Sequence, residues 1–197
     1  FEKEFLSYCE NQNLEVNPNQ IKVIKKLEDY YNSNYKSFFS KLFSKQKTKK
    51  GFYLYGGVGV GKTMILNFFY DHLEEKKLKK HFNEFMLGFH DFVHEQKEKN
   101  EENVINQFVK NLKSKASLVY FDEFQVTNIV DAMILGKLFE QIFKEDIKII
   151  LTSNTKISEL YKEGLQREQF IPFIKIMEDQ SIEYELKIED DYRKSND

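Results

Sequence analysis

The chain has 197 residues, of which 41% are apolar and 19 are phenylalanine, enough for the core of one domain of roughly 150 residues and an additional segment. Its 30 basic and 32 acidic residues give a net charge of −2, so bulk attraction to nucleic acid or to an anionic membrane is not expected. The only cysteine, Cys9, excludes an internal disulfide. No stretch of about 18 apolar residues is present, so no membrane-spanning helix is predicted. The chain begins with Phe1 rather than Met, so a targeting peptide could precede it.

Residues 1–50 are predicted to form an N-terminal helical appendage and a linker. A first weak helix is expected at residues 4–10. A second helix opens at Asn17, whose side chain can cap it, and Pro18 suits its first turn. Apolar side chains then recur at helical spacing, which indicates a face turned toward the core: Ile21, Ile24, Leu27, Tyr31 and Tyr35.

The helical pattern continues through residues 38–43, and a lysine-rich link follows at residues 45–50. A contact with nucleic acid and a solvated loop are both consistent with these lysines and with Lys41. The sequence leaves the two alternatives open.

From residue 51 onward, short apolar runs alternate with helical patterns, which predicts an α/β fold with a five-stranded parallel sheet flanked by helices. We predict strands at residues 52–55, 80–83, 117–122, 147–152 and 181–188. We predict helices at residues 62–77, 85–99, 101–113, 129–145, 156–162 and 172–179. Pro172 is expected to start its helix, because proline is tolerated in a first turn and breaks a helix interior.

A phosphate-binding loop is predicted between the first strand and the next helix. Residues 56–63 fit the pattern G-x-x-x-x-G-K-[ST]: Gly56, Gly57, Val58, Gly59, Val60, Gly61, Lys62 and Thr63. Four glycines allow successive backbone N–H groups to surround a polyphosphate. Lys62 would contact the β and γ phosphates, and the Thr63 hydroxyl would bind Mg²⁺. This pattern predicts a P-loop NTPase.

Two carboxylates follow the apolar run Leu118 to Phe121, as expected at the end of a strand that neighbours the site of the phosphate loop. We predict that Asp122 holds Mg²⁺ and that Glu123 is the general base that polarises the attacking water. An ordinary acidic turn after a strand is the alternative.

Two further polar residues complete the predicted site. Asn154 follows the predicted strand at residues 147–152 and could position the γ-phosphate or its water. Asparagine after a strand also serves as a helix cap or turn residue. Arg167 is one of two arginines in a chain that uses lysine for other positive charges, the second being Arg193. Arg167 is a candidate arginine finger supplied in trans, or else it pairs with Glu163 or Glu168 at the surface.

The sequence resembles the ZapE family of AAA+ ATPases, which includes the mitochondrial lactation-elevated ATPase. The resemblance covers most of residues 51–193. The matching stretches are residues 53–64, 82–86, 121–127, 131–135, 152–154 and 160–173. The strings Phe-Asp-Glu-Phe-Gln-Val-Thr at residues 121–127 and Gly-Leu-Gln-Arg at residues 164–167 are more specific than the phosphate loop.

This resemblance implies an AAA+ nucleotide-binding core at residues 51–190 that binds ATP and Mg²⁺ and assembles into a ring, possibly a hexamer. It assigns Asn154 as sensor 1 and Arg167 as the arginine finger. It also implies a protein partner at the bacterial division ring or in inner-membrane quality control in mitochondria. The location would be cytoplasmic and peripheral at the inner membrane, or mitochondrial.

The chain departs from the family at Asn128, where relatives usually carry Asp, and at Asn83, where they usually carry His. Asn128 is expected to cap the next helix about as well as Asp, with Asp131 as its third residue. Residues 191–197 are expected to be only the start of a C-terminal lid. The sequence does not locate the adenine contact, for which Gln20 is a guess.

The sequence is compatible with three functions. The first is Mg²⁺-dependent ATP hydrolysis coupled to the remodelling of a protein partner. The second is a nucleotide-dependent scaffold, against which Glu123 and Arg167 argue because a switch needs neither. The third is a helicase-loader-like ATPase acting on DNA, which lacks an evident basic and aromatic surface.

Overall fold

A computed structural model of the chain describes residues 1–36, 47–97 and 100–188. Its five strands are β1 (Gly51–Tyr55), β2 (Lys77–His81), β3 (Leu118–Asp122), β4 (Lys148–Ser153) and β5 (Ser181–Glu185). Its helices are α1 (Glu2–Asn11), α2 (Pro18–Tyr31), α3 (Lys62–Asp71), α4 (Phe82–Glu95), α5 (Glu101–Lys115), α6 (Ile129–Lys144) and α7 (Arg167–Gln180). A π-helical turn spans Asn32–Lys36, and a 3₁₀ turn spans Ile157–Glu159.

The strands form one parallel sheet in the order β2-β3-β4-β1-β5, which confirms the predicted fold class. The central strands β1, β3 and β4 are buried, as expected for a parallel sheet with helices on both faces. In the register, Tyr55 lies opposite Ser153 and Phe121 lies opposite Leu151. The residues that follow these three strands therefore meet at one edge of the sheet.

Each face of the sheet has its own apolar core. On one face, α1, α2 and α3 pack against the buried residues that β1, β3 and β4 present to that face, such as Phe52, Tyr120 and Ile150. On the other face, α4 to α7 pack on the alternate residues of the same strands, such as Tyr53, Phe121 and Leu151. The period of two along the strands thus divides the core between the two layers of helices.

The N-terminal helices are built into the first of these cores. The predicted cap of α2 is confirmed, because Asn17 Oδ1 accepts a hydrogen bond of 2.8 Å from the backbone N–H of Asn19, and Gln20 completes a capping box. The Tyr30 hydroxyl donates to the Lys50 carbonyl (2.7 Å), directly before β1. Helices α1 and α2 of the appendage predicted for residues 1–50 therefore cover one face of the sheet, and the helical run predicted for residues 38–43 lies outside the described residues.

The predicted position of β2, residues 80–83, is wrong. The strand begins three residues earlier and ends two residues earlier, at Lys77–His81. The observed strand reads Lys77-Leu78-Lys79-Lys80-His81 and, among the strands of the described residues, pairs with β3 alone. Because an outer strand has one solvated edge and one half-covered face, lysines are acceptable there and the apolar signal disappears. For the same reason α4 begins at Phe82 rather than at residue 85.

The segment between β4 and α7 also differs from prediction. The helix expected at residues 156–162 is a single 3₁₀ turn, because Tyr161 adopts a left-handed backbone with φ of 54°. Helix α7 begins at Arg167, so Pro172 lies inside it and does not start it. Proline removes one hydrogen bond there, and the burial of Phe170 and Phe173 on either side outweighs that loss.

The remaining boundaries differ less. Helix α3 ends at Asp71 rather than at residue 77, and β5 ends at Glu185 rather than at residue 188. Among the described residues, none of the helices has the length and the apolar composition that a membrane crossing requires.

We predict that Leu27→Ala lowers the free energy of unfolding by about 2–5 kcal/mol, because Leu27 is fully buried between α2 and the sheet. The matched control is Lys26→Ala on the exposed side of the same helix, which should change stability by less than about 0.5 kcal/mol. Urea unfolding followed by circular dichroism measures both. A small effect of Leu27→Ala would mean that α2 unfolds independently of the sheet.

Candidate nucleotide-binding site

The phosphate loop connects β1 to α3, as predicted. Gly59 and Gly61 have φ values of 77° and 94°, a region that residues with a Cβ rarely adopt. A Cβ on Gly61 would also lie 2.8 Å from Gln20 Nε2. Glycine is therefore required at both positions, and the backbone N–H groups of the loop are left accessible at the start of α3.

Lys62 is the first residue of α3 and is only 8% exposed. Its ammonium donates to the carbonyls of Gly56 (2.9 Å) and Gly57 (2.6 Å) and to Asn154 Oδ1 (3.2 Å). Burial lowers the pKa of Lys62 from its ordinary value. The lysine therefore lies within the loop and contacts the residue that was predicted as sensor 1.

A cluster of two hydroxyls and one carboxylate lies beside the loop. Thr63 Oγ1 donates to Asp122 Oδ1 at 3.0 Å, and Thr152 Oγ1 donates to the same oxygen at 2.9 Å. Asp122 is 8% exposed, and these hydroxyls compensate the cost of burying its charge. The arrangement links the first turn of α3 to the ends of β3 and β4.

Glu123 follows Asp122 and has a left-handed backbone, with φ of 55°. Its backbone N–H donates to Thr152 Oγ1 at 3.1 Å, and the N–H of Phe124 donates to the Thr152 carbonyl at 2.8 Å. This turn ends β3 and leaves the Glu123 side chain exposed, where it lines the cleft beside the loop.

The cleft between the loop and the ends of β3 and β4 has a volume of about 360 Å³. It brings together six of the predicted residues, four of which carry a polar or charged side chain: Lys62, Thr63, Glu123 and Asn154, with Val58 and Gly59 of the loop. Asp122 accepts a hydrogen bond from Thr63, which lines the cleft. Phe124, Gln125, Thr152, Ser153 and Thr155 line the rest of the cleft.

The donor set beside the loop suits Mg²⁺. Hydroxyl and carboxylate oxygens are the ligands that this ion prefers, and in nucleotide sites the phosphates and water supply the others. Thr63 Oγ1 and Asp122 Oδ1 lie 3.0 Å apart next to the loop, so both could serve one ion directly or through water.

Arg167 lies outside the cleft of its own chain. It is the first residue of α7, and its guanidinium donates through Nη2 to the carbonyls of Ser158 (2.9 Å) and Leu160 (3.2 Å). Within the described part of the chain it forms no ion pair with Glu163 or Glu168, and its buried Nε has no hydrogen-bond partner. The surface ion pair is thus absent there, and a role in trans stays a prediction.

Sequence reasoning missed Thr152 and the position of Gln20. A hydroxyl directly after the apolar run Ile149 to Leu151 is the signal that could have indicated Thr152. Gln20 Nε2 donates to the Val60 carbonyl (3.2 Å), which brings the start of α2 against the phosphate loop. That long-range contact has no local signal in the sequence.

His90 and His94, four residues apart on α4, lie away from this cleft. His90 Nε2 contacts Asp131 Oδ1 at 2.6 Å, and Asp131 is also held by Asn128, which caps α6 as predicted. Among the described residues, no group of three or more His, Cys, Asp or Glu side chains is placed to hold a metal ion.

Comparison with known proteins places the chain in a family. The family model described as AFG1-like ATPase matches residues 9–196. Lactation elevated protein 1 homolog B from Danio rerio is 40% identical over 146 residues, which cover 69% of this chain and 29% of that protein. Cell division protein ZapE from Escherichia coli K12 is 37% identical over 132 residues, covering 66% of this chain and 35% of that protein.

Among solved structures, AMPPCP-bound DnaA from Aquifex aeolicus superposes with a TM-score of 0.58 at 16% identity, over 92% of this chain and 51% of that one. This likeness shows the fold alone, a parallel sheet with helices on both faces. The chain spans about a third of the curated relatives that it matches. The family model matches residues 9–196, which are 188 of the 197 residues, and this chain therefore belongs to the AFG1-like ATPase family.

Proposed function

We propose that this chain is the nucleotide-hydrolysing core of a Mg²⁺-dependent AAA+ protein of the ZapE type. It would couple ATP turnover to the remodelling of a protein partner, in cell division or in quality control at the inner membrane. The observation that carries the proposal is the convergence of Lys62, Thr63 and Glu123 on one cleft, with Asp122 accepting a hydrogen bond from Thr63 and the side chain of Glu123 exposed.

Binding would begin at the phosphate loop. The polyphosphate would accept hydrogen bonds from the loop N–H groups and would replace the carbonyls of Gly56 and Gly57 as partners of the Lys62 ammonium. Burial depresses the pKa of Lys62. A bound anionic ligand would oppose this effect, because a negative charge nearby favours the charged form of the lysine. Mg²⁺ held by Thr63 and Asp122 would neutralise part of the phosphate charge.

Hydrolysis requires a water that is oriented and deprotonated at the γ-phosphate. Glu123 lines the cleft beside the loop and would accept the proton of that water. Asn154 contacts Lys62 through its Oδ1, and its amide would orient the water or a γ-phosphate oxygen. The base and the amide thus approach the same phosphate from β3 and β4.

Arg167 would act on the site of a neighbouring copy, because it lies outside the cleft of its own chain. An arginine supplied in trans stabilises the charge that develops on the transferred phosphoryl group. This role implies a ring in which each site is completed by the next subunit, and a hexamer is one such ring.

We expect Lys62→Ala to weaken ATP binding by about 10- to 100-fold, since it removes a charge-assisted contact to the phosphates. Lys110→Ala, on the exposed face of α5, is the matched control and should leave affinity unchanged. Titration with a fluorescent ATP analogue measures both. Unchanged affinity in the Lys62 variant would show that nucleotide does not occupy the loop.

We expect Glu123→Gln to bind Mg²⁺-ATP with nearly unchanged affinity and to hydrolyse it about 10²- to 10⁴-fold more slowly, because the amide cannot accept the proton of the water. Phosphate release under single-turnover conditions measures this change, and the exposed Glu102→Gln serves as control. Wild-type turnover in the Glu123 variant would refute the general-base role and favour a nucleotide-dependent scaffold.

Arg167→Ala should lose hydrolysis by about 10³-fold or more if it acts in trans. The decisive experiment mixes this variant with Glu123→Gln, which retains Arg167 but has an inactive site. Turnover should partly reappear in the mixture, because an intact site that lies beside a Glu123→Gln subunit then receives an intact arginine. A mixture of Glu123→Gln with Lys62→Ala is the control and should stay inactive. Absence of recovery in the first mixture would place the role of Arg167 within its own chain.

A further inference from the structure

We propose that Thr152 is a positioning residue that sets the place of the general base. Its hydroxyl holds the Asp122 carboxylate and the Glu123 backbone at the same time, and so fixes where the Glu123 side chain enters the cleft. This inference rests on the proposed role of Glu123 as the base.

The position of Thr152 in the sheet explains why a side chain is needed there. The ladder between β3 and β4 ends at the pair Phe121 and Leu151, so it does not continue to Asp122. On its other side, Thr152 pairs with Leu54 of β1 and is held in the centre of the sheet, 2% exposed. The Thr152 hydroxyl thus fixes the chain of β3 at the point where strand pairing stops.

A hydroxyl is well suited to this position. An ionised Asp122 only accepts hydrogen bonds, and the Glu123 N–H only donates one. Thr152 Oγ1 donates its proton to Asp122 Oδ1 (2.9 Å) and accepts from the Glu123 N–H (3.1 Å), which satisfies both groups. A valine has the same shape and can do neither.

Glu123 needs this support because its left-handed backbone is unfavourable for a residue with a Cβ. Two hydrogen bonds to Thr152 stabilise this backbone conformation. The Thr152 hydroxyl accepts from the N–H of Glu123, and the Thr152 carbonyl accepts from the N–H of Phe124 at 2.8 Å. The buried ring of Phe124 anchors the next position of the turn. Glu123 therefore lies between two fixed points, with only its side chain free.

The same contacts connect the base to the phosphate loop. Thr63 Oγ1 to Asp122 Oδ1, Thr152 Oγ1 to Asp122 Oδ1 and Glu123 N to Thr152 Oγ1 form a continuous series with distances of 3.0, 2.9 and 3.1 Å. A change at Thr63 on nucleotide binding would thus reach the backbone of Glu123 through Asp122 and Thr152.

The test compares Thr152→Val with Thr152→Ser in the 197-residue chain. We expect Thr152→Val to lower kcat about 10- to 100-fold, because a misplaced base loses its alignment with the water, while the Kd for ATP changes less than about threefold. Thr152→Ser keeps the hydroxyl and should retain kcat within about threefold. Thr152→Ala, which introduces no new packing, replaces Thr152→Val if that variant does not fold.

Ile150→Val is the matched control for a merely structural effect. Ile150 lies two residues earlier on the same face of β4, is fully buried and lies outside the cleft. It should lower the thermal midpoint without changing kcat. A fall in kcat in Ile150→Val that matches Thr152→Val would attribute the effect to the stability of β4 and overturn the proposal.

The double variant Thr152→Val with Glu123→Gln separates this inference from the function on which it rests. If Thr152 acts through Glu123, the double variant should hydrolyse ATP no more slowly than Glu123→Gln alone. Additive losses, or full kcat in Thr152→Val, would overturn the positioning role and leave the base intact. Full activity in Glu123→Gln would instead overturn the base itself.

Discussion

The site depends on the placement of β4 between β1 and β3. Because all three strands run in parallel, their carboxyl ends reach the same edge of the sheet, and the phosphate loop, the Asp122 carboxylate and Asn154 arrive there from three separate parts of the chain. The buried apolar faces of these strands fix the register, since a slip by one residue would expose the whole core. The geometry of the cleft is thus a consequence of the packing on both sides of the sheet.

That packing brings charged and polar groups into a dry environment, where each needs a partner. Lys62, Asp122 and Thr152 are each less than a tenth exposed, and each forms at least two hydrogen bonds. The lysine binds carbonyls of its own loop, so its desolvation is offset before any phosphate arrives. Polyphosphate must therefore compete with the Gly56 and Gly57 carbonyls, and its charge gives it the stronger interaction.

The features that could be predicted from the sequence are those encoded locally. The phosphate loop, the carboxylates after β3 and the caps Asn17 and Asn128 each consist of a few adjacent residues whose chemistry has one favoured geometry. Tertiary contacts decided the rest. Strand β2 has almost no apolar signal because β3 alone supports it, and the start of α7 depends on the packing of Phe170 rather than on Pro172.

The segment before α7 shows a different balance, in which local structure is unfavourable. Tyr161 and Gln166 both have left-handed backbones, with φ of 54° and 55°, and a Cβ at Gly164 would overlap the Tyr161 ring. Arg167 then places a cation at a helix N-terminus, where the helix dipole disfavours positive charge. Three unfavourable features in one short segment indicate a constraint other than stability, and such strain is concentrated at functional sites. Presentation of Arg167 to a neighbouring subunit, the role proposed above, would be a constraint of that kind, because the guanidinium would have to stay ordered by the carbonyls of Ser158 and Leu160 until the second cleft binds it.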